Sequence, residues 1–313
     1  MKTLSLKKFA FRVVAATSLV GAPYELSAAG SKKLCEVTLT ASQLQSLMRQ
    51  YVPKGSNGRA PAAAFFEVDS NGAVIRSLYT LNANAAQAVA STQKIVSAYA
   101  AYRNGGLSNI VTWSSEDRFY DSEGSSAVIR STKKNPTIGQ SVRAHEYLWT
   151  LLTHSSNGAA LALSRSIDSG STRAFVASMN DLSYDLIGRE TSSFNSYFQN
   201  PAGLTDNADR YEFGDAGKAQ RSTADNMARL TARIMGDSGF RSTMKKYGLT
   251  QYDGGVVTKG GSTQAAGKTL VAFIPLAGCK TKAVAYAVFG EGTEAAWTKI
   301  KQLHSQVVKE LGY

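Results

Sequence analysis

The sequence predicts a mixed α/β fold of the α+β kind, in which an antiparallel sheet is flanked by N- and C-terminal helices and carries an inserted helical lobe. Three observations predict it. Strand-like runs at Ala62–Val68 and Ala73–Thr80 surround Asp69-Ser70-Asn71-Gly72, and Asn-Gly between such runs is the strongest short-range hairpin signal. Helical periodicity dominates from Ala144 to Met235. The end of the chain then returns to β in Val256–Gly261, Lys268–Pro275 and Thr281–Phe289, so the sheet must be built from distant parts of the chain.

In chain order, Lys2, Lys7, Lys8 and Arg12 precede the mostly apolar Val13–Pro23 and the small-residue run Ser27-Ala28-Ala29-Gly30, the pattern of a signal peptide covering 1–29. A cytosolic chain with a basic tail is the competing reading. Residues 30–313 are expected to form one domain, with the sheet from about 60–80 and 255–290 and the helical lobe over about 107–250. Ala41–Tyr51 is a short helix with Leu44, Leu47 and Met48 on one side. After the hairpin, Ile95, Ala98, Tyr99 and Tyr102 follow the i, i+3, i+4, i+7 spacing of a helix packed on a core, and Asn104-Gly105-Gly106 stops it. Residues 107–143 are short polar and β-prone pieces with no assignable element. Helices follow at His145–Thr153, Asn157–Ile167, Thr172–Ile187 and Thr223–Met235, the last with Ser222 and Thr223 placed to cap it. Asn195–Gln220 is loop-like, and a final helix runs from Glu294 to Leu311.

No segment offers the ~20 apolar residues that a membrane span needs, so a soluble exported protein, periplasmic or extracellular and cell-wall-associated, is expected. The formal charge is +12, of which residues 1–29 carry four basic side chains and Glu25, leaving about +9 for the remainder. Such a protein is drawn to anionic surfaces. Its charges are dispersed without a dense basic run or interleaved aromatics, which argues against nucleic-acid binding. Cys35 and Cys279 are the only cysteines, and sequence leaves open whether they pair or stay free. With His145, His154 and His304 they match no metal-ligand spacing, so neither metal nor cofactor is expected.

The chemistry points to Ser91-Thr92-Gln93-Lys94. Ser91 and Lys94 lie three apart at a helix start, within mutual reach and on the inward face. Burial disfavours the ammonium, so Lys94 can stand as a neutral amine and take the proton of the Ser91 hydroxyl. The same spacing recurs at Ser5/Lys8, Ser131/Lys134 and Ser242/Lys245, so context must distinguish Ser91 from an ordinary N-terminus with an outward lysine. Two further clusters supply it. Ser155-Ser156-Asn157 sits in a tight connection between helices, able to aim a hydroxyl and an amide into one cleft, although it also suits a plain N-cap. Lys259-Gly260-Gly261 lies on a strand, before Ser262-Thr263, where glycines let a substrate backbone approach; a bulge with a solvated lysine is the alternative. A triad using His154 lacks any placed Ser and carboxylate partner.

In this order and spacing the three clusters resemble the penicillin-recognising serine hydrolases, and among them the low-molecular-mass penicillin-binding proteins that act as D-alanyl-D-alanine carboxypeptidases or endopeptidases. Asn200-Pro201-Ala202-Gly203-Leu204, Ser222-Thr223-Ala224-Asp225-Asn226-Met227-Ala228, and Thr263-Gln264-Ala265-Ala266-Gly267 followed by Leu270-Val271-Ala272 look like further family signatures. The resemblance implies a β-lactamase/transpeptidase-like fold, peptidoglycan stem peptides as substrates and β-lactams as covalent inhibitors. It implies Ser91 as nucleophile, Lys94 as its base, Ser155 as proton relay, Asn157 as an orienting amide and Lys259 as the source of the local field. Lys259, Gly260, Gly261, Ser262 and Thr263 would line the substrate, with the N–H groups of Ser91 and Ser262 as oxyanion hole. Two positions depart from the family pattern: Gly260 stands where it has Thr or Ser, removing a hydroxyl expected to bind a terminal carboxylate, and Asn226 stands where it usually has Asp. A catalytically silent peptidoglycan-binding homologue is therefore the alternative. No Glu-x-x-Asn element of the closest β-lactamase class is present, and nothing after the last helix suggests a C-terminal membrane anchor.

Overall fold

The computed structural model describes residues 35–55, 59–122, 125–167, 170–191, 193–205, 212–249 and 255–313. The leader assigned to residues 1–29 lies outside them. Strands β1 (Ala62–Asp69), β2 (Val74–Leu81), β5 (Val257–Thr263), β6 (Gly267–Pro275) and β7 (Lys282–Gly290) form one five-stranded antiparallel sheet in the order β2-β1-β7-β6-β5. The hairpin at Asn71-Gly72 forms as the sequence predicts: the Asp69 carboxylate accepts the N–H groups of Asn71 and Ala73 at 2.9 and 2.8 Å, and Gly72 takes φ +74°. β5 also includes Ser262 and Thr263, which the sequence places just after the strand, and it is the outer strand on its side.

Both faces of the sheet are covered, which is why β1, β6 and β7 read as near-continuous apolar runs. Alternation along β1 sorts its side chains: Ala63 and Phe65 pack with α1 (Ala41–Tyr51) and the C-terminal helix α9 (Glu294–Glu310), whereas Ala64, Phe66 and Val68 join the core of the lobe. α9 presents Ala296, Ile300, Leu303, His304 and Val307 to the sheet at helical spacing. Cys35 and Cys279 are disulfide-bonded, with Cα atoms 5.1 Å apart across a sequence separation of 244. The bond ties the segment before α1 to the β6–β7 connection.

The lobe holds α2 (Lys94–Arg103), α3 (Ser115–Ser122), α4 (Ala144–Thr153), α5 (Asn157–Ser164) and α6 (Thr172–Ile187), with a small pair of strands β3 (Ile110–Thr112) and β4 (Ser141–Arg143). α7 (Ala224–Gly236) packs under β1 and β7, and α8 (Ser238–Lys246) follows it. Thr223 caps α7 as the sequence predicts, its hydroxyl accepting the Asn226 N–H at 3.0 Å. α3, α8 and the β3–β4 pair have no counterpart in the sequence-predicted elements. The other helices fall within a few residues of expectation, α5 being the shorter by three residues at its C-terminal end.

Candidate active site

Ser91 lies in a single 3-10 turn, Ala90–Gln93, that runs directly into α2. α2 is the central helix of the lobe, with every residue from Lys94 to Ala101 buried, and this explains how a lysine comes to be 0% exposed. The turn is held from three sides. Thr92 Oγ1 and Thr269 Oγ1 donate to the Val89 carbonyl at 2.5 and 2.9 Å, and the Gln93 amide donates to the Asn200 carbonyl. Asn200 Oδ1 in turn accepts the N–H groups of Ala202, Gly203 and Leu204, folding Asn200–Leu204 into a tight loop against Ala90. Gly203 has φ +84°, and a Cβ there would overlap the Ala90 carbonyl. Ala90 itself takes φ +50°, a left-handed conformation that an L-residue keeps only where its surroundings impose it.

Lys94 Nζ lies 2.6 Å from Ser91 Oγ and 2.7 Å from Asn157 Oδ1. Lys259 Nζ, from β5, donates to Ser155 Oγ at 2.9 Å and to the Gly260 carbonyl at 2.7 Å. The sequence-predicted residues thus form two linked clusters, Ser91, Lys94 and Asn157 in one and Ser155 and Lys259 in the other, joined through the Ser155–Asn157 turn. Burial pushes the Lys94 ammonium well below the ordinary lysine value, the Lys259 charge pushes it further, and the Asp121 carboxylate opposes both. Burial lowers Lys259 to about 7. Two amines stripped of water in one site favour a neutral base beside a hydroxyl.

Ser155 takes φ +56°, and Ser156 caps α5 by accepting the Ala159 N–H at 2.8 Å. The Ser-Ser-Asn turn is therefore both an N-cap and a site element. Gly261 faces the nucleophile turn: a Cβ there would crowd the backbone nitrogens of Ser91 and Thr92 and the Thr269 hydroxyl. At Gly260 the Trp297 ring occupies the space that a Cβ would need. Ser262 is exposed, and Thr263 Oγ1 accepts the Ala266 N–H at 3.0 Å in the β5–β6 turn. His154 packs against Trp149, with ring centroids 5.2 Å apart. Thr269, Trp297 and Asp121 escaped the sequence reading. Thr269 could have been found from the β5–β6 register that sets it opposite Gly261, whereas the other two carry no local signal.

The family model for peptidase S11, described as D-alanyl-D-alanine carboxypeptidase, matches residues 55–291. The chain belongs to this family. A search of curated proteins gives no match. Among solved structures, a mutant of the Streptomyces K15 DD-transpeptidase is similar at 22% identity and TM-score 0.58, over 79% of this chain and 98% of that one. A D-alanyl-D-alanine carboxypeptidase from Mycobacterium tuberculosis matches at 21% identity and TM-score 0.55, over 82% and 93% of the two chains. Penicillin-binding protein 5 from Haemophilus influenzae matches at 22% identity and TM-score 0.53, over 78% and 70%. At these identities the solved structures establish the fold. In this member of the D-alanyl-D-alanine carboxypeptidase family, Asn226 is a buried residue of α7 whose amide donates to Ser196 Oγ at 3.1 Å, a partner outside the two clusters.

Proposed function

We propose that this family member is an exported serine DD-peptidase that cleaves D-Ala-D-Ala termini or D-amino-acid crosslinks of peptidoglycan through an acyl-enzyme on Ser91. The observation that carries the proposal is the fully buried Lys94 amine 2.6 Å from Ser91 Oγ. Lys94 takes the hydroxyl proton as Ser91 Oγ attacks the peptide carbonyl carbon. The N–H groups of Ser91 and Ser262 receive the developing oxyanion. The C–N bond then breaks, with the proton passed from Lys94 through Ser155 to the leaving amine, and water hydrolyses the ester. Lys259 keeps Ser155 oriented, and Asn157 holds the Lys94 amine. β-Lactams would acylate the same hydroxyl. The outer edge of β5 offers main-chain pairing to an extended peptide. The Cys35–Cys279 disulfide supports an oxidising compartment, and with it export.

Gly260 and the Trp297 ring behind it leave the third motif without its usual hydroxyl, which favours internal crosslinks over peptides ending in a free carboxylate. Mass analysis of products from a crosslinked muropeptide and from its linear pentapeptide tests this. Cleavage of the crosslink is expected to exceed release of terminal D-Ala. Retention on peptidoglycan with neither product would select the silent homologue.

A further inference from the structure

Asp121, on α3, is buried at 8% exposure, and four donors converge on its carboxylate. Ser125 Oγ and Ser156 Oγ donate to Oδ1 at 2.7 Å each, the Gly158 N–H to Oδ1 at 2.9 Å and the Ala127 N–H to Oδ2 at 2.5 Å. In all four contacts the carboxylate oxygens are the acceptors. Ser125 Oγ also accepts the Asn157 N–H at 2.8 Å, so the carboxylate grips the Ser155–Asn157 turn both through Ser156 and through Ser125. Among the described residues no cation forms an ion pair with Asp121, whereas its neighbour on α3, Asp117, is paired with Arg165.

We propose that Asp121 is a positioning residue of the site: its carboxylate fixes the turn that carries Ser155 and Asn157 and supplies a negative charge that acts on Lys94. The proposal rests on the acyl-enzyme reading for its catalytic consequence, and on the hydrogen bonds of the carboxylate for the positioning. The charged groups acting on the Lys94 amine are Lys259 from β5 and Asp121 from α3. α5, packed against α2 and α3, carries no ionisable side chain and contributes the neutral Asn157 amide.

The test is an NMR titration of lysine labelled with ¹³C at Cε, in the wild-type protein and in Asp121→Asn, with acylation by a chromogenic β-lactam measured over the same pH range. The Lys94 midpoint is expected to fall by about half a pH unit or more in Asp121→Asn, because a neighbouring anion favours the ammonium and its loss disfavours it. The acylation rate is expected to fall by about 10- to 100-fold, the scale of a misplaced reacting group. An unchanged midpoint in a folded variant overturns the electrostatic part. Ser125→Ala keeps the charge and removes one tether; it should lower acylation about tenfold with the Lys94 midpoint unmoved, and an unaltered rate overturns the positioning part. If the wild type is not acylated but the midpoint still shifts, the acyl-enzyme reading fails and the role of Asp121 in setting the charge of Lys94 stands.

Discussion

At the scale of single residues, the site is a balance of two buried lysines, two hydroxyls and one amide. In the proposed mechanism the Lys94 amine must be neutral to accept the Ser91 proton, so acylation is expected to fall as pH drops through its depressed titration. Removing the Lys259 charge raises the Lys94 value toward that of an ordinary lysine. Lys259→Gln should therefore move the acid limb of the acylation profile to higher pH, the opposite direction from Asp121→Asn, and stopped-flow acylation against pH checks it. The Ser91–Lys94 pair was legible because helical spacing puts positions three apart on one face and the Ser155–Asn157 and Lys259–Gly261 clusters set it apart from the other Ser-x-x-Lys spacings. Its depth was not legible, since it depends on α2 being surrounded by the rest of the lobe.

Among elements, β5 and the loop Asn200–Leu204 carry the fit around Ser91. Gly203→Ala meets both an unfavourable φ and the Ala90 carbonyl, so thermal unfolding should show a loss of about 1–3 kcal/mol together with slower acylation. Gly260→Thr restores the family hydroxyl but collides with the Trp297 ring. Its stability should fall, and Trp297→Ala in the same chain should recover part of the loss, as a double-mutant cycle on melting temperature would reveal. The capped helices could be read from sequence because their apolar residues repeat at the helical period, and the central strands because they are short apolar runs bounded by turn residues. α3 could not, since its buried residues are Asp117, Tyr120 and Asp121, and a largely polar buried face leaves no hydrophobic rhythm. α8 buries only Phe240 and Met244, one pair at i, i+4. Asp121 was hidden with its helix.

For the whole molecule, the segment leading into α1 is tied to the β6–β7 connection by the Cys35–Cys279 bond, whose pairing the sequence left open because partners so far apart in the chain are brought together only by the finished fold. A buried polar pair joins α9 to β7. His304 Nδ1 lies 2.6 Å from Tyr286 Oη, and burial lowers the imidazole to about 4. Its folded value lies below the ordinary 6.5, so the unfolded chain binds the extra proton first and stability falls as pH drops from about 6.5 toward 4. The loss is on the order of 3 kcal/mol, and His304→Gln should flatten it in unfolding curves taken across that range.

The measurement that bears most directly on the site is intact-mass analysis of the protein after incubation with a penicillin. One adduct of the β-lactam mass is predicted on the wild type, located at Ser91 and lost in Ser91→Ala. An adduct that persists in Ser91→Ala, or a wild type that takes up none, would contradict the acyl-enzyme account.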